Sequence, residues 1–476
     1  MSALFNAVNR ETTVTENGMA TLESSLDSVV DLFFKIGGSR GKFNQLKPTL
    51  SAAFSTDPEM TVRVLLWARD ARSGAGERQL FRDAIMYGFQ AGVLTKEQGE
   101  RIVQKVPELG RFDDLYAFIG TPCEDSAVQL FAGAIRSGNG LAAKWSDRKG
   151  LNAVVMRKAM GLTPKQYRKL VVKNTDVVEQ KMAAKNWDAI EFGKLPSVAS
   201  ARYQKAFWRN AESKYRAYVE GLTKGTEKIN AGAVYPYDVV KSLKYGNTTV
   251  ANEQWKALPD YMEGSESSGI LPVVDVSASM NVGVNGENSK TATTCMDVAV
   301  SLGLYISERN RGVFKDQSIT FSDNPQMYKL TGNLKSRYDQ LKRSDWGYST
   351  NFEKVFKVIL DAAQRQNLSQ KDLPDTVLVL SDMQFNQAEN SGWGRRSNPT
   401  SFEMVDQMFK DAGYERPKLV YWNLRTSNGV PVEFDQNGTA LVSGFSPSIM
   451  KSILSSTTFT PRAIMMETVM NSRYDW

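Results

Sequence analysis

The sequence predicts two fold classes in one chain: an α-helical, HEAT-like repeat solenoid or ring, followed by a doubly wound, Rossmann-like α/β domain. Three observations predict it. From about residue 20 to 256, apolar residues recur at three- and four-residue spacing between short turns that contain Gly, Pro or Asn. Glu263 to Gly269 is a polar, small-residue stretch that reads as an exposed linker. Beyond it, continuous apolar runs alternate with amphipathic segments, as buried parallel strands alternate with the helices that cover them.

The expected organisation is an N-terminal arm over 1–20, a helical domain over 21–262, a linker over 263–269 and an α/β domain over 270–476. Leu22, Leu26, Val29, Val30 and Phe33 form a first helical stripe that stops at Gly37-Gly38. Asp57-Pro58 opens a second helix, because Asp accepts from the free N–H groups of the first turn and Pro suits it. Thr163-Pro164 repeats that signal. Successive hairpins of this kind suggest stacked repeats, although no strict sequence period accompanies them. In the second half, strands are expected over 270–276, 318–321, 376–380, 419–423 and 440–443. Helices are expected near 294–307, 352–365, 401–411 and 446–454.

Composition excludes several classes of function. With 476 residues the chain fits two or three cores, and 41% hydrophobic with 23% charged residues is ordinary for a folded protein. No apolar run is long enough for a membrane span and the first residues lack a secretion-signal layout, so a cytoplasmic protein that does not engage membranes is expected. Cys123 and Cys295, in different expected domains, offer neither a disulfide framework nor a cysteine metal cluster. Histidine is absent, which removes the commonest general base, the Ser-His and Cys-His pairs and the usual zinc sites. The net charge of +7 lies in the first 270 residues, and residues 141–228 alone hold 19 basic against 8 acidic side chains. Such a surface attracts a polyanion, or is simply a solvated helical face.

The candidate chemistry begins at Asp275-Val-Ser277-Ala-Ser279, at the end of the first expected parallel strand, which is the edge where open α/β sheets bind ligands. Carboxylates and hydroxyls there suit a hard cation such as Mg²⁺, which takes about six oxygens, some of them from water. This D-x-S-x-S layout resembles the metal-ion-dependent adhesion site of von Willebrand factor A domains. Gly347-Tyr-Ser349-Thr350-Asn351 resembles the loop that supplies the family's threonine, and Leu380-Ser-Asp382 resembles the strand end that supplies its second aspartate. The resemblance implies that Ser277, Ser279 and Thr350 bind the metal directly while Asp275 and Asp382 act mainly through water, leaving one position for a partner's carboxylate. Ser349 competes with Thr350 for its role. Alone, D-x-S-x-S is a weak pattern, and Asp275 could merely cap the next turn; a metal-free A-type fold is the bland alternative. A haloacid-type phosphotransferase would want a carboxylate where Ser277 stands, and a serine hydrolase would want a base other than histidine. Gly37-Gly-Ser-Arg-Gly-Lys42 is too short for a phosphate loop and is followed by Phe43.

In the basic half, Lys144, Arg148, Lys149, Arg157, Lys158, Lys165, Arg168 and Lys169 form the densest candidate RNA-binding set, with Trp145 interleaved. Lys205, Arg209 and Trp208 form a second. Cations neutralise phosphates and aromatic rings stack on unpaired bases, yet the same tryptophans would serve equally as core anchors. Arg72 and Arg78 flank Gly74 and Gly76 and would clamp a phosphate at a helix start near Glu77, unless Arg69, Asp70 and Arg72 are internal salt bridges. Four segments, Trp67 to Arg78, Gly110-Arg111-Phe-Asp-Asp114, Leu162 to Lys169 and Tyr235-Pro236-Tyr-Asp238, resemble the bacterial and phage relatives of the Ro (TROVE-module) ribonucleoproteins. That resemblance implies a helical ring coupled to an A domain, binding structured or misfolded non-coding RNA without enzymatic activity. The rival expectation is a scaffold whose metal recruits an acidic protein partner, and a metal-dependent hydrolase is the third.

Overall fold

A computed structural model of the chain describes residues 11–243, 248–265, 269–285, 292–321, 324–343, 350–387, 399–427 and 429–476. Its N-terminal region is helical, and its C-terminal region holds a mixed, mostly parallel sheet with helices between the strands. By packing the chain divides into two units, one of residues up to 64 together with 234–471, the other of 65–233 together with 472–476. The first unit thus takes in helices on both sides of the expected linker.

The sheet of the first unit is built from β3 (Ile270–Asp275), β4 (Gln317–Phe321), β5 (Gln326–Lys329), β6 (Thr376–Ser381), β7 (Lys418–Asn423) and β8 (Thr439–Ser443), after the short β1 (Thr12–Val14) and β2 (Ala20–Leu22). Its order is β5-β4-β3-β6-β7-β8, with β5 antiparallel and the rest parallel. The chain runs from β3 outward to β4 and returns to β6 on β3's other side. The strand order therefore reverses at β3, and the crevice between the carboxyl ends of β3 and β6 is the place such sheets offer to ligands. Both strands are buried throughout, which accounts for their uninterrupted apolar runs. The helix Cys295–Arg309 lies close on β3: a Cβ on Gly303 would stand 2.4 Å from Val274 Cγ2.

The N-terminal segment belongs to this unit rather than to a free arm and a helical domain. The β1–β2 hairpin bonds to the segment after β6, with Thr15 Oγ1 donating to the Phe385 carbonyl (2.6 Å) and Asn17 Nδ2 to the Gln384 carbonyl (2.6 Å). Leu22 lies in β2 and Leu26 adopts a left-handed φ of 69°, so the first helix spans only Ser28–Ile36. The reason is local. Asp27 accepts from the N–H groups of Val29 and Val30, and Asp31 takes those of Ser25 N–H and Ser24 Oγ–H, which holds 24–27 in a turn. This helix ends against β8: Ser443 Oγ donates to the Phe33 carbonyl (2.6 Å) and accepts from Gly37 N–H (3.0 Å).

In the second unit, helices pack largely on their neighbours in sequence; Glu124–Arg136 touches Lys96–Leu109, Gly140–Trp145 and Gly150–Ala159. Thr163 and Gln166 cap Pro164–Asn174 reciprocally, as its Thr-Pro start predicts. The core includes Trp67, Phe81, Phe118, Phe131, Tyr167, Phe207 and Tyr215. Residues 472–476 complete it. Buried Asp70 accepts from Tyr474 Oη (3.0 Å), from Arg473 Nη2 (2.8 Å) and Nε, and from the N–H of Arg72 (3.0 Å).

Candidate functional site

Asp275 ends β3 with no exposed surface. Its Oδ1 accepts from Ser277 N–H (2.9 Å) and its Oδ2 from Ser381 Oγ (2.6 Å), the last residue of β6. The turn continues into Ser279, whose Oγ lies 3.0 Å from that of Ser277 and whose hydroxyl favours the charged form of Asp382. Asp382, also fully buried, accepts from Gln384 N–H (3.3 Å) and pairs with Arg425 Nη1 at 3.3 Å. Thr350 is tied to the segment after β6 by two backbone bonds, its N–H to Asn386 Oδ1 (3.0 Å) and its carbonyl from Asn386 N–H (2.9 Å). Asp275, Ser277, Ser279 and Asp382 thus meet in the crevice, and Thr350 is anchored four residues beyond Asp382. Ser349, Gly347 and Tyr348 lie outside the described residues.

The electrostatics of this crevice are unbalanced. Burial first, and the neighbouring Asp382 charge second, hold the Asp275 carboxyl well above the usual carboxylate range. Burial raises Asp382 as well, against the pull of Arg425. Two buried carboxylates thus face one guanidinium, and the buried Thr350 hydroxyl has no hydrogen-bond partner among the described residues. A small hard cation fits both facts, since it would neutralise the carboxylates and use hydroxyl oxygens as ligands. Among the described residues there is no cluster of three or more His, Cys, Asp or Glu able to hold a metal, so the donors would be oxygens of mixed type and unsuited to zinc. Cys295, at the first position of its helix, is buried with its thiol pushed up to about 12 by that burial, and so is unreactive.

Sequence reasoning missed Ser381 and Arg425. Ser381 stood within the Leu380-Ser-Asp382 segment and could have been found there. Arg425 carries no local signal, since only the folding of the loop after β7 brings it to Asp382.

The candidate RNA-binding residues all fall in the second unit. Arg148, Lys149, Lys158, Lys165, Arg168, Lys169, Lys205 and Arg209 are exposed, and Lys144 and Arg157 are half-buried. Trp145 and Trp208 are half-buried too. Lys144 pairs with Glu179 (3.5 Å), and the Arg111 guanidinium lies 3.5 Å from the centre of the Trp145 ring. Arg72 and Arg78 are both exposed but form no clamp: Arg72 Nη1 reaches the Glu108 carbonyl (3.5 Å), whereas Arg78 begins the helix Arg78–Gln90. Arg69 and Asp70 are internal, with Arg69 paired to buried Asp114 at 2.6 Å. Gly74 and Gly110 make this packing possible. A Cβ on the first would lie 1.9 Å from the Trp67 carbonyl oxygen, and on the second 2.5 Å from Asp114 Oδ2.

Two family models match the chain, each described only as a domain of unknown function. DUF2828 matches residues 15–91 and 138–267, and DUF7788 matches 269–473. The chain is also similar to the "Uncharacterized protein L728" of Acanthamoeba polyphaga mimivirus, with 29% identity, covering 95% of this chain and 86% of that protein. Among the described residues, no helix is long and apolar enough to cross a membrane.

Proposed function

We propose that this chain is a non-enzymatic, Ro/TROVE-like RNA-binding component of a cytoplasmic ribonucleoprotein. In this reading the helical unit is a HEAT-like ring or solenoid that holds structured or misfolded non-coding RNA. The α/β unit is a von Willebrand A-type domain that carries one divalent ion, Mg²⁺, as a docking face. The observation that carries the reading is the exposure of Arg148, Lys149, Lys158, Lys165, Arg168 and Lys169 within a stretch of 19 basic and 8 acidic side chains.

At the crevice, Ser277, Ser279 and Thr350 would offer hydroxyl oxygens to the ion, while Asp275 and Asp382 balance its charge. The bound ion would supply a position for an anionic group of a partner. Ser381 and Ser277 N–H orient Asp275, and Gln384 N–H and Arg425 orient Asp382. Arg425 also favours a second reading, a scaffold for an acidic protein partner, because a guanidinium beside the ion adds attraction for an anion.

The test is purification from the host at moderate salt, followed by sequencing of nuclease-sensitive material and titration of RNA binding against salt. Recovered RNA whose affinity falls steeply with salt, and which is lost on replacing Lys165, Arg168 and Lys169 together by Ala, is the expected result. Nucleic-acid-free protein carrying an acidic partner would overturn it in favour of the scaffold.

A further inference from the structure

Three arginines of the second unit converge on two aspartates, and a fourth stands beside them. Arg69 and Arg82 bond to the two oxygens of buried Asp114, each through Nε at 2.7 Å. Arg82 Nη2 also lies 2.9 Å from Asp113, which accepts from Arg111 Nε at 2.9 Å. Arg78 stands one helical turn before Arg82 on the same face of its helix. It reaches solvent and has no hydrogen bond or ion pair among the described residues. Its pKa is lowered, first by partial burial and then by the charges of Arg111 and Arg82.

A purely structural cluster accounts for only part of this. Arg69, Arg82 and the two aspartates staple the helix Arg78–Gln90 to the turn Phe112–Phe118, and that staple is already neutral. Arg111 shares Asp113 with Arg82, so four guanidiniums stand against two carboxylates and Arg78 is left without an ion pair among the described residues. Like charges a turn apart cost stability rather than add to it. Planar guanidinium forks match phosphate oxygens in pairs. What points to nucleic acid is the neighbour: the Arg111 guanidinium lies 3.5 Å and the Lys144 ammonium 5.3 Å from the centre of the half-buried Trp145 ring, and the exposed Arg148 and Lys149 follow it in sequence. A phosphodiester next to a stackable plane is what a single strand presents.

We propose that Arg78 and Arg111, with Trp145 beside them, form a seat for a backbone phosphate of single-stranded RNA. This rests on the RNA-binding reading above and narrows it to a position that the Lys165/Arg168/Lys169 set does not include.

The experiment is fluorescence anisotropy of the full chain with a labelled single-stranded RNA of about ten nucleotides, a length within the range of single-strand sites. Arg78→Gln is the variant, since Arg78 has no hydrogen bond or ion pair among the described residues and its loss leaves the staple intact. Lys224→Gln, an exposed cation elsewhere in the unit, is the control. Arg78→Gln is expected to weaken binding by roughly tenfold and to lower the salt slope by about one, with the control near wild type. If wild type binds RNA and Arg78→Gln binds it equally well with the same slope, the seat is wrong and the RNA reading stands. If wild type binds no RNA at any salt, both fall. Displacement of the RNA by an oligoglutamate peptide at equal concentration would overturn the assignment to phosphate.

Discussion

Thr350 has a backbone that is fully bonded to Asn386 and a buried hydroxyl that is bonded to nothing among the described residues. Leaving a buried hydroxyl unpaired costs about 1–3 kcal/mol, and Val has the same shape without that group. Thr350→Val is therefore expected to raise thermal stability in chelator by about 1 kcal/mol, and to weaken Mg²⁺ binding by roughly tenfold or more in calorimetry. A variant that loses stability in chelator would show the hydroxyl to be paired after all. Asp275 gives a prediction of opposite flavour. Its folded pKa is raised, so the native state holds the proton more tightly than the unfolded chain does, and this contribution to stability falls as pH rises past about 4. In chelator, the melting temperature of wild type relative to Asp275→Asn should decline from pH 4 toward neutrality, and saturating Mg²⁺ should abolish the decline. The Asp-x-Ser-x-Ser spacing was legible because a strand end, a turn and three oxygen-bearing side chains sit within five residues. Arg425 was not, because proximity to Asp382 arises only in three dimensions.

Elements were legible wherever the signal was local. Thr163-Pro164 and Asp57-Pro58 carry their own caps, and the structure starts helices at both. The apolar runs of β3, β6, β7 and β8 name themselves because both faces are covered. The edge strand β5, Gln-Met-Tyr-Lys, is largely exposed and carries neither an apolar run nor an alternation, so no pattern in the sequence announces it. Periodicity starts the first helix too early because Leu22 and Leu26 fit its stripe, while the bonds of Ser24, Ser25 and Asp27 that prevent it are invisible to periodicity. Gly37 reads locally as a helix stop, yet its absence of a side chain serves β8. A Cβ there would lie 2.4 Å from Gly444 N and 2.5 Å from its Cα. Gly37→Ala should therefore destabilise the unit by about 1–3 kcal/mol in denaturant melts, although its φ of −70° is one that Ala adopts freely and, with open space, the same change would be close to neutral or stabilising.

At the scale of the molecule, the alternation of strands and helices after residue 269 was legible, but the membership of the units was not. Periodicity reports what each segment is and is silent on where it docks. Residues 28–36 are helical by pattern and belong to the sheet by packing, since Phe33 and Phe34 are fully buried there. A fragment of residues 270–476 should consequently unfold without cooperativity or aggregate, whereas 234–471 joined to 11–64 through a flexible linker should melt as one unit in calorimetry. Equal cooperativity of both fragments would show the N-terminal segment to be dispensable. The same docking has a consequence in time. Asp70 leaves the ribosome 403 residues before Arg473, and Ser443 follows Phe33 by 410. At about 5–20 residues per second, these early pieces wait roughly 20–80 seconds for the partners that complete them. A buried carboxylate and a helix with two bare phenylalanines are thus left open during synthesis, the stretch in which chaperones have most to hold and a stalled chain is most exposed to proteolysis.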